Sequence, residues 1–496
     1  MNYEILISDS LHIHEKNFKP VFEHFKRSNI SFNTYSKNNN HRNESIDKCI
    51  SGDSETSLTI RTHSKRFNRM DDDAFFNYTH RGLRILTVVE LEILNNLISE
   101  GNFHYQFYSQ REFFDYCLSH HRKKLKSAYA LAVFWVDRWF EELNTKNYRY
   151  ALVFSGSTIS AFSLLKTCQF FATEPLILET FFTGRHFYIE NRYTPIPNNS
   201  EIKYICPEYT IEYDTIRWRR TNEAIRKTGV NNKNVKQSKQ GDKFQFEPGF
   251  LLLLCQVSND YSIINQRYPK RSTVDVYKKL IDKIINETSY NLVIKTHPWE
   301  RNNLKYTEYN TYSILSIYKL ELPKSAQMRI HIVEDCNIVQ LIEKSETALG
   351  ICSQSLLEAC FYGKKPIVVN NAFFSGKGFT YDMPEINHIP ELVNDEKFTG
   401  LISLDEYKSF MNFINQTLHE HLVESDHYSE AKLSRIFMGC RSSARSHYPI
   451  NKEEKFSYLS QSSFWKRNVL KLIENPKQVF ADVKNISRSL IPGFRN

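Results

Sequence analysis

Apolar positions fall along the chain in two alternating series, separated by polar stretches. The first series opens with residues 3–8 (YEILIS), whose short apolar block predicts a strand, and continues into a predicted helix over 18–25. Residues 35–73 break the rhythm: they are rich in Asn and Ser, include Asn38–Asn40, and predict a long polar insertion or mobile loop. Residues 83–89 predict a strand, and the three- and four-residue spacing of apolar positions in 90–98 and 111–143 predicts helices. A strand over 150–154, a helix over 158–171 and a strand over 176–178 complete the series, and the alternation predicts a parallel α/β sheet.

Residues 229–242 (GVNNKNVKQSKQGD) are polar, basic and almost without apolar side chains, the composition of a linker. A second series follows: strands over 250–255, 292–295, 329–333, 347–352 and 366–369, with helices over 272–287, 337–344 and 356–362. The predicted organisation is an N-terminal Rossmann-like domain over 1–228, a linker over 229–248, a second Rossmann-like domain over 249–445 and a tail over 446–496. Two α/β halves on a hinge leave a cleft, and ligands of open α/β sheets sit beyond the carboxyl ends of the strands. Strand-to-helix loops facing that cleft are therefore where chemistry is expected.

Composition narrows the class. At 496 residues the chain has room for two or three domains, and 41% hydrophobic with 24% charged residues excludes wholesale disorder and collagen-like repeats. The longest apolar runs, 128–136 and 250–255, fall short of the ~18 residues a spanning helix needs, so no integral membrane protein is expected. Glu4 and Asp9 near the start argue against a secretory signal. The nine cysteines are odd in number and lack CxxC or zinc-like spacing, which fits a reduced, cytoplasmic chain. A net charge of +9 favours anionic ligands or surfaces without being a nucleic-acid signature. Arg217-Trp-Arg219-Arg220 mixes base and aromatic, yet reads as a packed helix with solvated arginines. In the tail, Phe464, Trp465, Val469, Leu472 and Ile473 share one helical face, as do Val479, Phe480, Val483, Ile486 and Leu490 after Pro476. That pattern fits helices packed on the body, or a basic amphipathic surface touching anionic lipid at the inner face of the cytoplasmic membrane.

Four constellations can carry chemistry. Gln256-Val-Ser-Asn-Asp260 follows the apolar block LLLLC, so its amide and carboxylate point into the expected cleft. Asp260 there suits a nucleophile, a general base or a metal ligand, or simply caps the next segment. Lys295-Thr-His297-Pro298 leaves a cation and an imidazole at a strand end, fit for a phosphate, although a satisfied loop histidine has the same pattern. Ser353-Gln-Ser355-Leu-Leu-Glu358 opens a helix; its hydroxyls and N–H groups suit an anion, and Ser355-x-x-Glu358 also reads as a capping box. Glu179, in LETFFTGR, ends a strand in the first half, and with Arg185 either crosses the cleft to an acidic sugar and its acceptor or forms a surface ion pair. There is no GxGxxG, Walker A or HExxH, and Asp71–Asp73 reads as solvated rather than metal-binding.

In order, these segments resemble the capsule polysaccharide biosynthesis family of bacterial Kdo glycosyltransferases, the KpsC/KpsS-like group. The resemblance spans about 150–382 and is carried by QVSNDYSII (256–264), VIKTHP (293–298) and SQSLLEACFYGKKPIVVNNAFFSGKGFTYD (353–382), with LETFFTG (178–184) a weaker part. It implies a GT-B architecture, CMP-β-Kdo as donor, retention of configuration and no metal cofactor. It further implies Asp260 as the nucleophile forming a covalent Kdo adduct, with Gln256 positioning it. His297, Ser353 and Ser355 would meet the CMP phosphate, Glu358 the ribose, and Glu179 would be the acid/base near the acceptor. Lys295 and Arg185 would suit the Kdo carboxylate. Expected partners are a saccharide or lipid-linked acceptor, anionic lipid, and capsule assembly and export proteins. Two other readings stand beside this one: a CDP-glycerol or CDP-ribitol phosphotransferase, and a non-catalytic scaffold of capsule assembly and export.

Overall fold

A computed structural model of the chain describes residues 4–35, 57–206, 246–301 and 310–437, with Ile46 and Arg219 besides. The chain divides into Met1–Gly439 and Cys440–Asn496, and all described residues lie in the first unit. The predicted tail, most of the predicted linker and most of the Arg217–Arg220 stretch lie outside the described residues.

Two six-stranded sheets organise the first unit. Strands β1 (Glu4–Ile7), β2 (Ser31–Thr34), β6 (Tyr148–Phe154), β7 (Glu174–Thr180), β8 (His186–Asn191) and β16 (Val423–Glu424) form one, in the order β16-β8-β7-β6-β1-β2. Two small antiparallel pairs stand apart from it: β3 (Thr79–His80) with β4 (Leu83–Arg84), and β5 (Gln106–Phe107) with β10 (Lys270–Arg271). The second sheet holds β9 (Phe250–Leu254), β11 (Leu292–Lys295), β12 (Ile330–Val333), β13 (Ser345–Gly350), β14 (Ile367–Val368) and β15 (Tyr381–Asp382), all parallel. Its order, β12-β11-β9-β13-β14-β15, is the 3-2-1-4-5-6 winding of a Rossmann sheet. The order reverses between β9 and β13, which opens a crevice beyond their carboxyl ends. Gly350 permits the close approach there, since a Cβ would stand 2.9 Å from the Leu254 carbonyl oxygen.

The central strands bury both faces, as parallel strands under helices must. In the first sheet Ile5, Ile7, Tyr150, Leu152, Leu176 and Leu178 face a smaller core with Phe18, Val21 and Phe25 of the N-terminal segment. Leu6, Ala151, Val153 and Ile177, one residue out of phase, face the main core, which runs on without a break into Leu251–Leu254 of the second sheet. The halves are also tied by polar bonds: Asn95 Nδ2 donates to the Asn259 carbonyl at 2.8 Å, and Asn265 Nδ2 to that of Pro197 at 3.2 Å.

Four expectations need correction. Residues 83–89 are not a strand; after β4 they enter a helix, Ile85–Ser99, whose first turns are buried almost all round. A continuous apolar run does not distinguish a buried strand from a buried helix, and here length decides. Residues 57–73 are not all loop. Ser57–Arg66 is a helix, Phe67 is fully buried, and Asp71 caps the helix Asp72–Phe76. The first sheet is mixed rather than parallel, because β8 and β16 run antiparallel to their neighbours. Finally, the second domain does not keep the chain through 445. Val423–Glu424 joins the first sheet, and Leu433 and Phe437 enter its smaller core. Among the described residues no helix is long and apolar enough to cross a membrane.

Candidate functional site

The loop after β9 is held from three sides. Gln256 is buried; its backbone N–H donates to the Tyr277 hydroxyl at 2.7 Å. Its Oε1 accepts from the Cys352 N–H at 3.0 Å, beyond the end of β13, so this one amide bridges the crevice where the winding reverses. Its Nε2 donates to Ser262 Oγ at 3.0 Å and to Asp260 Oδ2 at 3.3 Å. Asp260 caps the short helix Tyr261–Ile264, with Oδ1 accepting from the Ser262 N–H at 2.8 Å. The capping role and a chemical role coexist, because the cap and Gln256 together fix the half-buried carboxylate.

His297 follows β11. Its Nδ1 accepts from the Trp299 N–H at 3.2 Å, which leaves the ring proton on Nε2. Burial and the Lys295 ammonium lower its pKa to about 4, against the opposing charge of Asp260. The imidazole is therefore neutral near pH 7 and offers its Nε2–H as a hydrogen-bond donor. The expectation for Lys295 is corrected. It is buried, and its ammonium donates to the carbonyls of Thr296 at 3.0 Å and Glu334 at 2.6 Å, inside the fold rather than in the cleft.

Glu300, which the sequence reading passed over, joins the two loops. Its buried carboxylate accepts from the Ser258 N–H at 2.9 Å and from Thr311 N–H at 2.7 Å. A carboxylate two residues beyond His-Pro was its only sequence signal.

At the end of β13, the expected Ser355–Glu358 capping box does not form. The N-cap is Ser353, whose Oγ accepts from the Ser355 N–H at 3.3 Å. The helix Gln354–Phe361 begins two residues earlier than predicted, since a hydroxyl beyond the strand end captures the first free N–H groups. Glu358 lies one turn beyond Gln354 on the same side, and burial alone pushes it up to about 7. Gln354 Oε1 accepts from the Phe182 N–H at 3.1 Å, which sets the first sheet's β7–β8 turn against this helix start.

Glu179 lies near the end of β7, three residues before Phe182. Its Oε1 accepts from Thr180 N–H at 3.0 Å, and the Ser155 hydroxyl also bonds it. Burial raises its pKa, with these bonds and His12 opposing. It makes no pair with Arg185, whose Nε lies 3.7 Å from Asp426 in a half-exposed contact. Beyond β1, Asp9 Oδ1 accepts from the backbone N–H of His12 at 2.8 Å and lies 3.2 Å from its Nδ1. The sequence reading assigned this pair nothing, although SDSLHIH follows the first strand as directly as QVSND follows β9. Among the described residues no group of three or more His, Cys, Asp or Glu side chains is placed to hold a metal ion.

No curated protein matches the chain in sequence. Among solved structures, a Thermosulfurimonas dismutans KpsC described as a beta Kdo 2,4 transferase is similar at 15% identity and a TM-score of 0.38, over 53% of this chain and 79% of that one. The beta Kdo 2,7 transferase of the same organism's KpsC gives 13% and 0.36, over 62% and 90%. An S. aureus MnaA–UDP structure gives 10% and 0.30, over 90% and 96%. The sequence match is local: residues 196–398, containing Gln256, Asp260, His297 and Ser353, match the family described as capsule polysaccharide biosynthesis protein. Over that stretch the chain is similar to that family.

Proposed function

We propose that the protein is a GT-B-type glycosyltransferase of capsule or surface polysaccharide synthesis, moving Kdo from CMP-β-Kdo to a saccharide or glycolipid acceptor with retention. The observation that carries this reading is the Gln256 bridge, which fixes the Asp260 carboxylate at the reversal point of a Rossmann sheet. That crevice is where such sheets take nucleotides. Retention at a sugar centre is most simply two inversions, and the first needs a carboxylate on the face opposite the leaving group.

In this reading Asp260 attacks the anomeric carbon, the bond to the CMP phosphate oxygen breaks, and a glycosyl ester forms. The departing CMP, now a phosphate monoester, meets the Nε2–H of His297 and the Ser353–Ser355 helix start, donors fixed before the reaction. No metal is needed for a leaving group of such moderate charge. Glu358, close to half-protonated at neutral pH, can accept from or donate to ribose hydroxyls. The acceptor enters from the Glu179 side, and Arg185, half-exposed in the β7–β8 turn, suits the Kdo carboxylate.

Intact mass measurement after incubation with CMP-Kdo tests this. An added Kdo mass in the wild type that is absent in Asp260→Asn is expected. A wild type that turns over donor, with an acceptor supplied, and never carries the adduct would overturn the covalent route.

A further inference from the structure

The first sheet has a crevice of its own. Its parallel strands run β2-β1-β6-β7, so the winding reverses between β1 and β6. The loops at that point carry Asp9 and His12 after β1, and Ser155 and Ser157 after β6, with Ser155 bonded to Glu179 of β7. Gly156 makes the tight turn there with φ +81°, and the neighbouring Ser155 carbonyl accepts from Ile196 N–H at 3.1 Å.

His12 is held as a proton acceptor is held. Asp9 Oδ1 faces Nδ1, and the ring lies flat on Phe154 at 4.5 Å between centroids and 10° between planes. An ionised Asp9 keeps the ring proton on Nδ1, leaving the Nε2 lone pair for a substrate, and the side chain is 48% exposed. Glu179, whose pKa burial raises, is the other carboxylate at this point. Its Oε1 already accepts from the Thr180 N–H at 3.0 Å and lies 3.4 Å from the Thr180 hydroxyl.

We propose that His12, oriented by Asp9, is the general base that deprotonates the acceptor hydroxyl, with Glu179 as a nearby negative charge that stabilises the imidazolium. This rests on the glycosyl transfer proposed above. In the step, the acceptor O–H bond breaks and its proton passes to Nε2. The oxygen bonds to the anomeric carbon, and the sugar–Asp260 bond breaks to return the free carboxylate. The half-exposed imidazolium then loses its proton to water. Asp9 is a positioning residue. The charged groups acting on His12 are Asp9 from its own loop and Glu179 from β7; both raise its pKa, against burial.

The test uses the full chain, CMP-Kdo as donor and methyl β-Kdo glycoside as probe acceptor. Adduct formation and adduct breakdown are followed separately by mass, with melting curves to show that the variants fold. In His12→Gln, the adduct is expected to form within about twofold of the wild-type rate and to break down roughly a hundredfold more slowly or worse. Wild-type breakdown rises with pH through a midpoint above 6.5, and Asp9→Asn moves that midpoint down. Breakdown in His12→Gln at the wild-type rate, or a pH profile unmoved by Asp9→Asn, overturns the dyad while leaving the covalent reading intact. Product without any wild-type adduct, still lost in His12→Gln, overturns the covalent reading and leaves the dyad standing.

Discussion

Replacing Gln256 by Leu asks how much the bridging amide contributes. The substitution keeps most of the volume and removes both polar ends. The Cys352 N–H, on a buried residue, loses its acceptor at 3.0 Å. Leaving such a donor unsatisfied costs about 1–3 kcal/mol. Ser262 and Asp260 lose a donor at 3.0 and 3.3 Å. Both sites reach solvent, so their combined loss is nearer ~1 kcal/mol. The total is about 3 kcal/mol. At about 2.1 cal/mol/K per residue, a body of roughly 400 residues has an unfolding entropy near ~0.8 kcal/mol/K, so the melting midpoint falls by about 4 °C. Adduct formation falls further, by roughly a hundredfold, because a nucleophile misplaced by about 1 Å loses that much. Gln256→Glu separates the two effects. It keeps an acceptor for Cys352 but sets a second carboxylate against Asp260, so the pair holds a proton and attack weakens while melting changes less. Melting curves and adduct kinetics by mass read both quantities. A Gln256→Leu protein that melts within about 1 °C of the wild type and forms adduct at an unchanged rate would refute the bridging role.

Two further outcomes follow from buried charge. His297 is held at about 4 in the folded state against 6.5 as the ordinary value, so the folded protein binds fewer protons between those limits. Its contribution to stability is whole above pH 6.5 and is lost as pH falls toward 4; a titration of the labelled imidazole by NMR with a midpoint above 6.5 would contradict this. Glu190, fully buried, accepts from Arg192 at 3.0 Å and His421 at 2.8 Å, and against its burial they and Ser200 hold it below the usual carboxylate range. Glu190→Gln should destabilise by about 3–5 kcal/mol at neutral pH, since it leaves Arg192 without its counter-charge. It should also flatten the loss of stability as pH falls below the ordinary carboxylate value; unchanged melting at both pH 7 and pH 4 would sink that reading.

What could be read from the chain alone divides along physical lines. Strand and helix periods placed most of the second sheet within a residue or two, because parallel strands buried on both faces are nearly continuous apolar runs. The same signal misread 83–89, where a helix is buried all round. β8 was missed because HFYIEN carries His186 and Glu190, and its charge is satisfied by residues far along the chain. At the site, Gln256 and Asp260 were legible since the strand-end rule needs only local order. Lys295 was not, because the two carbonyls its ammonium meets come from folding, one of them at Glu334. Asp9 and His12 follow a strand end as Gln256 and Asp260 do, and are legible by the same local order.

The return of Val423–Glu424 to the edge of β8 has a consequence for biosynthesis. The ribosome delivers Asn191, the end of β8, and must then make 424 − 191 = 233 further residues before Glu424 exists. At about 5–20 residues per second that is roughly 12–47 s during which a nascent strand edge waits uncovered. Over the same interval the face that later receives Leu433 and Phe437 is bare. The early half of this chain thus stays open at that edge until late in synthesis, and a truncation before residue 423 would make that transient exposure permanent.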